Sequence, residues 1–240
     1  MKRLLWTGGW DSTYRLLYSV IVENNLVQPY YILDFNRPSY KKEIDTMNLI
    51  KNKIYEKFPL TKGKINNTIF IKINEIEENQ TITDKYMKLK EESFIGSQYD
   101  WLARYAESED LTNLELSIHL DDKAAFFVKR YGIKNENSKI YYLDKNMYGT
   151  QYDIFKYFDF PILDLTKLDM QRNAEKYDFL DIMELTWFCY NPMPNGQPCG
   201  YCNPCKYTRE EGMGRRVPSK TKGFSNRVRN KIKRILNKHN

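Results

Sequence analysis

Apolar positions along the chain fall into short continuous runs separated by spaced series. Four runs have the length of buried strands: 3–7 (RLLWT), 30–35 (YYILDF), 68–73 (TIFIKI) and 114–119 (LELSIH). Between the first two, residues 12–24 carry Leu16, Leu17, Val20 and Ile21 at helical spacing. Between the next two, residues 41–57 carry Ile44, Met47, Ile50 and Ile54 on one face. Strand, helix, strand, helix, strand is the order of a parallel sheet with crossover helices. The polar, charge-dense stretch 74–93 reads as a loop or excursion. Helices are expected at about 95–108 and 121–131, and a strand at 139–143 (KIYYL), followed by an aromatic stretch that reads as core packing. A Pro-led turn at 161 precedes a helix starting near Thr166, and a cysteine-rich loop spans 186–206. After Pro218 a helix is expected at about 225–237, with Phe224, Val228, Ile232, Ile235 and Leu236 on one face and Lys/Arg on the other. No internal repeat interrupts this order.

At 240 residues and 41% hydrophobic, the chain can bury the core of one large α/β domain with small appendages. No run approaches the ~18 apolar residues of a membrane span. Gly8, Gly9 and Asp11 cut the opening MKRLLW far short of a signal-peptide core of ~7–15 residues. A soluble, cytoplasmic protein is expected. The formal charge is +7, but eight Lys/Arg and no acid lie between Lys220 and the end. Without them the 38 basic residues fall to 30, against 31 acidic ones. The basic character belongs to the tail, which has three readings: a solvated extension, a helix that contacts nucleic acid or a protein partner, or, last, a membrane-surface contact. The expected division is 1–185 for the nucleotide-binding domain, 186–216 for a zinc segment packed on it, and 217–240 for the basic tail.

Chemistry concentrates in two places. The first is the turn WTGGWDST at 6–13, where two of only 11 glycines stand together after the first strand. Bare backbone at Gly8 and Gly9 lets an anion approach, and free amides at a helix N-terminus attract it. The hydroxyls of Thr7, Ser12 and Thr13 add donors. The bland alternative is a tight turn with an Asp11-Ser12 cap. Position favours the anion site, because ligands of open α/β sheets lie at the carboxyl ends of strands. The spacing matches neither the ordinary P-loop nor G-x-G-x-x-G. The second place holds all four cysteines, Cys189, Cys199, Cys202 and Cys205. Two disulfides are one reading. The spacing and a cytosolic setting favour one structural zinc on four thiolates. Only two histidines are present, which argues against a Ser-His-Asp or Cys-His hydrolase. Of these, His119 reads as a packed or capping residue.

WTGGWDST resembles the pyrophosphate-loop signature Ser-Gly-Gly-x-Asp-Ser of the N-type ATP pyrophosphatases, with Thr7 in place of the serine. TWFCYNPMPNGQPCGYCNPCKYTREEGM resembles the zinc segment of the 7-cyano-7-deazaguanine synthase family. Thr186, Trp187, Cys189, Cys199, Gly200, Cys202, Cys205 and Arg209 match, and Phe188 replaces a serine. Pro161 and Lys167 are similar to the family's Pro…Lys before a helix. The resemblance covers both ends of the chain and aligns the middle only loosely, through IGSQYDWLARYAE. It implies an adenine nucleotide α-hydrolase-like fold, a Rossmann-like three-layer sandwich with a mostly parallel sheet, plus a C-terminal zinc-binding loop and a basic helical tail.

It further implies an enzyme that uses ATP to adenylate a 7-carboxy-7-deazaguanine-type acid, which ammonia converts to an amide and a second ATP-dependent step dehydrates to the nitrile, as in queuosine biosynthesis. Thr7, Gly8, Gly9, Trp10, Asp11, Ser12 and Thr13 would hold ATP, with Asp11 positioning Mg²⁺ or water and Ser12 beside it. Lys167 would place positive charge on the transferring phosphoryl group. The backbone of Leu33 to Phe35 would meet adenine. Arg37, in the Pro-containing turn after the second strand, has two readings, a solvated arginine or one that reaches a nucleotide or substrate phosphate. A homodimer is the family's expectation. The family's Arg-Asn pair and Tyr-Pro-Asp-Cys segment are replaced here by Ser97-Gln98 and LDDKAAFF (120–127), where Asp121 or Asp122 would stand in for the base-reading carboxylate. Alternatives are therefore kept: a diverged homologue that attaches a deazaguanine-type group to a macromolecule, as in phage defence; a tRNA-modifying adenylating enzyme; or a nucleotide-sensing, zinc-containing adaptor.

Overall fold

The first apolar run forms β1 (Lys2–Leu5), with Leu4 and Leu5 buried against opposite faces of the sheet. The structure, a computed structural model, describes residues 1–236, and the side chains as far as Lys231. α1 (Trp10–Leu17) follows and passes into a wider, π-type turn at Tyr18–Val22. It begins two residues before the expected start. Gly9 is its N-cap and no side chain closes it, so Asp11 and Ser12 lie in the first turn and do not cap it.

β2 (Val27–Leu33) starts earlier than expected, α2 (Tyr40–Lys57) buries Met47, Ile50 and Ile54, and β3 (Ile69–Lys72) pairs with β2. The stretch expected as a loop contains α3 (Gln80–Glu92). Asn79 caps it by accepting the Ile82 amide at 3.1 Å, and Ile82, Tyr86 and Leu89 supply its buried stripe. α4 (Gln98–Ser108) leads to β4 (Leu114–Glu115), which is shorter than the 114–119 expected. The Ile118 amide turns back onto the Leu116 carbonyl at 2.9 Å, which ends the ladder and frees His119 from the sheet.

α5 (Ala125–Tyr131), β5 (Gly132–Lys134), β6 (Tyr141–Leu143) and β7 (Phe158–Phe160) complete the sheet. Its order is β3-β2-β1-β4-β7-β6-β5. The first five strands run parallel, and β6 and β5 are antiparallel additions. The aromatic stretch is core: Phe155, Phe158 and Phe160 are buried on one face with Phe127 and Tyr99. Leu4, Trp6, Tyr31, Ile50 and Phe179 fill the other face, giving helices on both sides of the sheet, the three-layer α/β architecture.

α6 (Lys167–Lys176) starts where the sequence places it, behind a reciprocal cap between Thr166 and Asp169. α7 (Leu180–Met183) and α8 (Asn203–Thr208) flank the cysteine loop. α9 (Lys220–Leu236) begins five residues before the expected tail helix, whose last residue, 237, lies outside the described residues. Among the described residues no helix is long and apolar enough to cross a membrane.

Candidate active site

The carboxyl ends of β1, β4 and β7, three neighbours in the sheet, deliver one cluster of side chains. Between β1 and β4 the connection order reverses, which is where open α/β sheets bind ligands. After β1 the chain turns at Gly8, whose φ of +70° suits glycine. A β-carbon there would meet Met47 Cγ at 3.0 Å, and one on Gly9 would meet Thr7 Oγ1 at 3.2 Å and the Trp187 carbonyl at 3.6 Å. The Thr7 amide donates to Ser12 Oγ at 3.2 Å, and the two hydroxyls lie 3.3 Å apart. Thr13 is fully buried and accepts the Trp6 indole N–H at 3.0 Å, so its hydroxyl braces the turn from beneath and is not brought to the loop surface. With no cap on α1, its first amides face the turn.

Asp11, in the first turn of α1, faces Lys167, the first residue of α6, with Nζ 3.6 Å from Oδ2. Asp11 Oδ1 and Trp10 Nε1 are buried without a hydrogen-bond partner among the described residues. Lys167 lies closer to a residue the sequence reading missed: its Nζ is 2.7 Å from Glu211 Oε2. The other Glu211 oxygen is 3.5 Å from His119 Nε2, while His119 Nδ1 accepts the Asp121 amide at 3.2 Å. His119 thus caps the turn after β4 and points its second nitrogen into the cluster. Burial opposes the charge of Lys167, but Asp11 and Glu211 outweigh it and raise its pKa. Burial likewise opposes ionisation of Glu211, yet His119 and Lys167 draw its pKa down to about 2. For His119 burial is again overcome, by Glu211 and Asp11, and its pKa rises.

Asp122 is half-buried beside this group and takes the Ala124 amide at 2.8 Å and the Tyr99 hydroxyl at 3.3 Å. Burial raises its pKa despite these donors. Asp121 is exposed and makes no side-chain contribution to the cluster among the described contacts. Arg37 is engaged elsewhere: it pairs with Glu43 at 3.2 Å and lies 4.8 Å from the centroid of the Tyr190 ring. Leu33 ends β2, and Phe35 is exposed, edge-on to Tyr40.

The cysteines form the second element of the site. All four sulfurs lie within 4.8 Å of one another and are buried. The Cys202–Cys205, Cys189–Cys202 and Cys199–Cys205 separations are 3.4, 3.8 and 3.9 Å. These are too long for disulfides at ~2.05 Å. They fit the ~3.8 Å between sulfurs on one tetrahedral zinc with 2.3 Å bonds. The Cys199 amide points at Cys189 Sγ at 3.1 Å and the Cys202 amide at Cys199 Sγ at 3.4 Å, as donors to thiolates would. Four thiolates this close need a cation among them. The four cysteines would fill the coordination of a zinc ion and leave no open position, so the chemistry it would supply there is structural.

This hairpin is fastened to the glycine turn. The Trp187 amide donates to the Gly8 carbonyl at 2.9 Å. Arg216, also missed in the sequence, is stacked between rings: its guanidinium carbon is 4.9 Å from the Trp10 centroid and 5.4 Å from that of Phe188. It donates to the Thr186 carbonyl at 2.6 Å, and burial lowers its pKa to about 10. Nothing in the sequence flags Glu211 or Arg216, since both sit in charged runs that read as solvated.

The family model of the queuosine biosynthesis protein QueC matches residues 4–216. A 52-residue stretch is 40% identical to a 7-cyano-7-deazaguanine synthase of Syntrophus aciditrophicus (strain SB). That stretch is 21% of this chain and 21% of the relative. The match spans the sheet, the glycine turn and the four cysteines, and the chain belongs to the QueC family of queuosine biosynthesis proteins.

Proposed function

We propose that the chain is an ATP-dependent C–N ligase that adenylates a 7-carboxy-7-deazaguanine-type acid and amidates it with ammonia toward 7-cyano-7-deazaguanine. The observation that carries this reading is the Asp11–Lys167 pair set against the uncapped N-terminus of α1, at the reversal point of the sheet. Such an arrangement serves a reaction in which a carboxylate attacks the α-phosphorus and pyrophosphate departs.

The parts suit distinct roles. Backbone amides of Gly8 to Ser12 and the Thr7 hydroxyl bind the leaving phosphates. The partnerless Asp11 Oδ1 suits Mg²⁺, which would neutralise phosphate charge when bound. Lys167 lays a buried positive charge beside it. Cys189, Cys199, Cys202 and Cys205 hold zinc, which pins the hairpin that walls the site. The backbone of Leu33 to Phe35 meets adenine. Asp122, held by Tyr99 and Ala124, presents a half-buried carboxylate for N–H groups of the acceptor.

The test is pyrophosphate release from ATP and Mg²⁺ with and without 7-carboxy-7-deazaguanine and ammonia, followed by mass analysis of the product. Stimulation and an amide or nitrile product support the reading. No stimulation by any deazaguanine acid overturns the substrate while leaving the nucleotide site. A macromolecular acceptor is the second reading, favoured by one observation: the acid-free helix α9 is seated on the zinc hairpin, with the Asn226 side chain donating to the Cys199 carbonyl at 3.0 Å. A product mass carried by protein or RNA, and none by small molecules, would select it.

A further inference from the structure

Of the groups in the cluster, Glu211 and His119 are the two that no part of the proposed reaction uses, and Glu211 touches both His119 and Lys167. It lies just beyond the zinc hairpin, where the helical path after α8 breaks at Glu211 and Gly212. From that break its side chain reaches Lys167 at the start of α6 and His119 after β4, with one oxygen toward each. Oε2 is 2.7 Å from Lys167 Nζ and Oε1 is 3.5 Å from His119 Nε2. The competing partner of Lys167, Asp11, is farther away at 3.6 Å. A buried ammonium bonds to the strongest acceptor within reach, because an unpaired charge in such a place is costly. With Glu211 present Lys167 has an ion-pair partner nearer than Asp11, and Asp11 Oδ1 makes no hydrogen bond among the described residues.

We propose that Glu211 is a positioning residue, a carboxylate bridge between His119 and Lys167 that holds the lysine off Asp11 and so keeps Asp11 open for a divalent cation and the lysine aimed at the phosphates. This rests on the functional reading above and deepens it. The zinc hairpin thereby does more than wall the site, because the metal-clamped segment also delivers the counter-charge that orients it. The charged and titratable groups facing His119 are Glu211 after α8, Asp11 from α1, Lys167 from α6 and Asp122 from its own loop. Of these only Glu211 touches its Nε2.

The experiment has two arms. The chain contains only two histidines, so in a His239→Asn background the imidazole signals in an NMR titration belong to His119. Glu211→Gln removes the charge and keeps the shape, and Glu211→Asp keeps the charge and shortens the reach. The His119 midpoint is expected to fall by more than about half a unit in Glu211→Gln and by less in Glu211→Asp. In the second arm, pyrophosphate release by Glu211→Gln is expected to lose about 10-fold or more in kcat, with the KM for ATP within about 3-fold. The Mg²⁺ needed for half-maximal rate should rise, and Glu211→Asp should recover part of each loss. An unchanged His119 midpoint, or a loss confined to KM with the Mg²⁺ requirement unmoved, overturns the bridge. If no acid turns over in the unsubstituted protein, the functional reading fails and the titration alone decides whether Glu211 links the two side chains. Should Glu211→Gln not fold, Glu211→Asp carries both arms with the same directions.

Discussion

The Trp187 amide donates to the Gly8 carbonyl across 2.9 Å, joining the cysteine hairpin to the turn that opens α1. Two motifs from opposite ends of the sequence thus share one hydrogen bond. Any change that moves the Gly8 peptide also moves the entry to the hairpin, and loss of a metal held by the four cysteines would loosen the turn from the other side.

Gly8→Ala tests the first direction. A non-glycine residue held in the left-handed region costs about 1–2 kcal/mol. The added methyl would also press on Met47 Cγ at 3.0 Å. Urea unfolding is expected to show a loss of at least that size, and calorimetric titration a large loss of ATP affinity. Wild-type affinity in Gly8→Ala would mean that the bare turn is not where the phosphates sit.

Chelation tests the second. Removing one equivalent of zinc is expected to free residues 186–206 and α9 together, because α9 is anchored on the hairpin. Asn226 donates to the Cys199 carbonyl, Asn230 to the Tyr201 hydroxyl at 2.8 Å, and Gly223 packs against Gly200. A β-carbon on Gly223 would stand 2.7 Å from the Gly200 carbonyl oxygen. Gly223→Ala should therefore release α9 alone, seen as faster hydrogen exchange and proteolysis after 219 with the zinc content unchanged. Loss of metal in Gly223→Ala would show that helix and hairpin fold as one unit.

The pH dependence of stability follows from Glu211 and His119. Glu211 titrates near 2 when folded, below the ordinary 4.5, so it stabilises the fold fully above about 4.5 and loses this as pH falls toward 2. His119 is raised above 6.5, so its share is complete below 6.5 and is lost as pH rises through the folded value. The stability gap between the unsubstituted protein and Glu211→Gln should be widest between about pH 4.5 and 6.5, on the order of 3 kcal/mol at most. Chemical denaturation across pH 3–9 measures it, and a gap that is flat with pH would contradict the ion pair.

Much of this was legible in the sequence, for identifiable reasons. Gly8-Gly9 and the cysteine spacing announce themselves because few residues can do their work, and β1 and β2 stand out because buried parallel strands are apolar throughout, whereas β3 is an apolar but exposed edge strand. α3 was hidden by charge: its stripe of Ile82, Tyr86 and Leu89 is only three residues wide amid Lys and Glu. β5 and β7 are three residues each and exist only through pairing with neighbouring strands, β5 with β6 and β7 with β4 and β6, which no local pattern encodes. Glu211 and Arg216 look like solvated charges until the fold brings Lys167, His119 and Trp10 to them.

One further pair lies under the site and was invisible in sequence for the same reason. Arg15 of α1 makes a two-pronged ion pair with Glu115 of β4, Nε to Oε2 at 2.6 Å and Nη2 to Oε1 at 2.8 Å, both side chains almost fully buried. It fixes α1 against the strand that leads to His119, so it sets the distance between the glycine turn and the rest of the cluster. Removing one partner leaves the other charge with only its outer neighbour, Glu23 at 2.8 Å for Arg15 or Lys2 at 3.3 Å for Glu115, and Arg15→Met or Glu115→Leu alone is expected to cost up to about 3 kcal/mol. The double replacement removes both charges and fills the space with apolar atoms, so it should recover most of that loss. A double-mutant cycle by urea unfolding reads the coupling. If the two single losses simply add, the charges are solvated independently and the pair does not anchor α1; if the double variant is stable but ATP binding falls, the anchor serves the register of the site more than the stability of the fold.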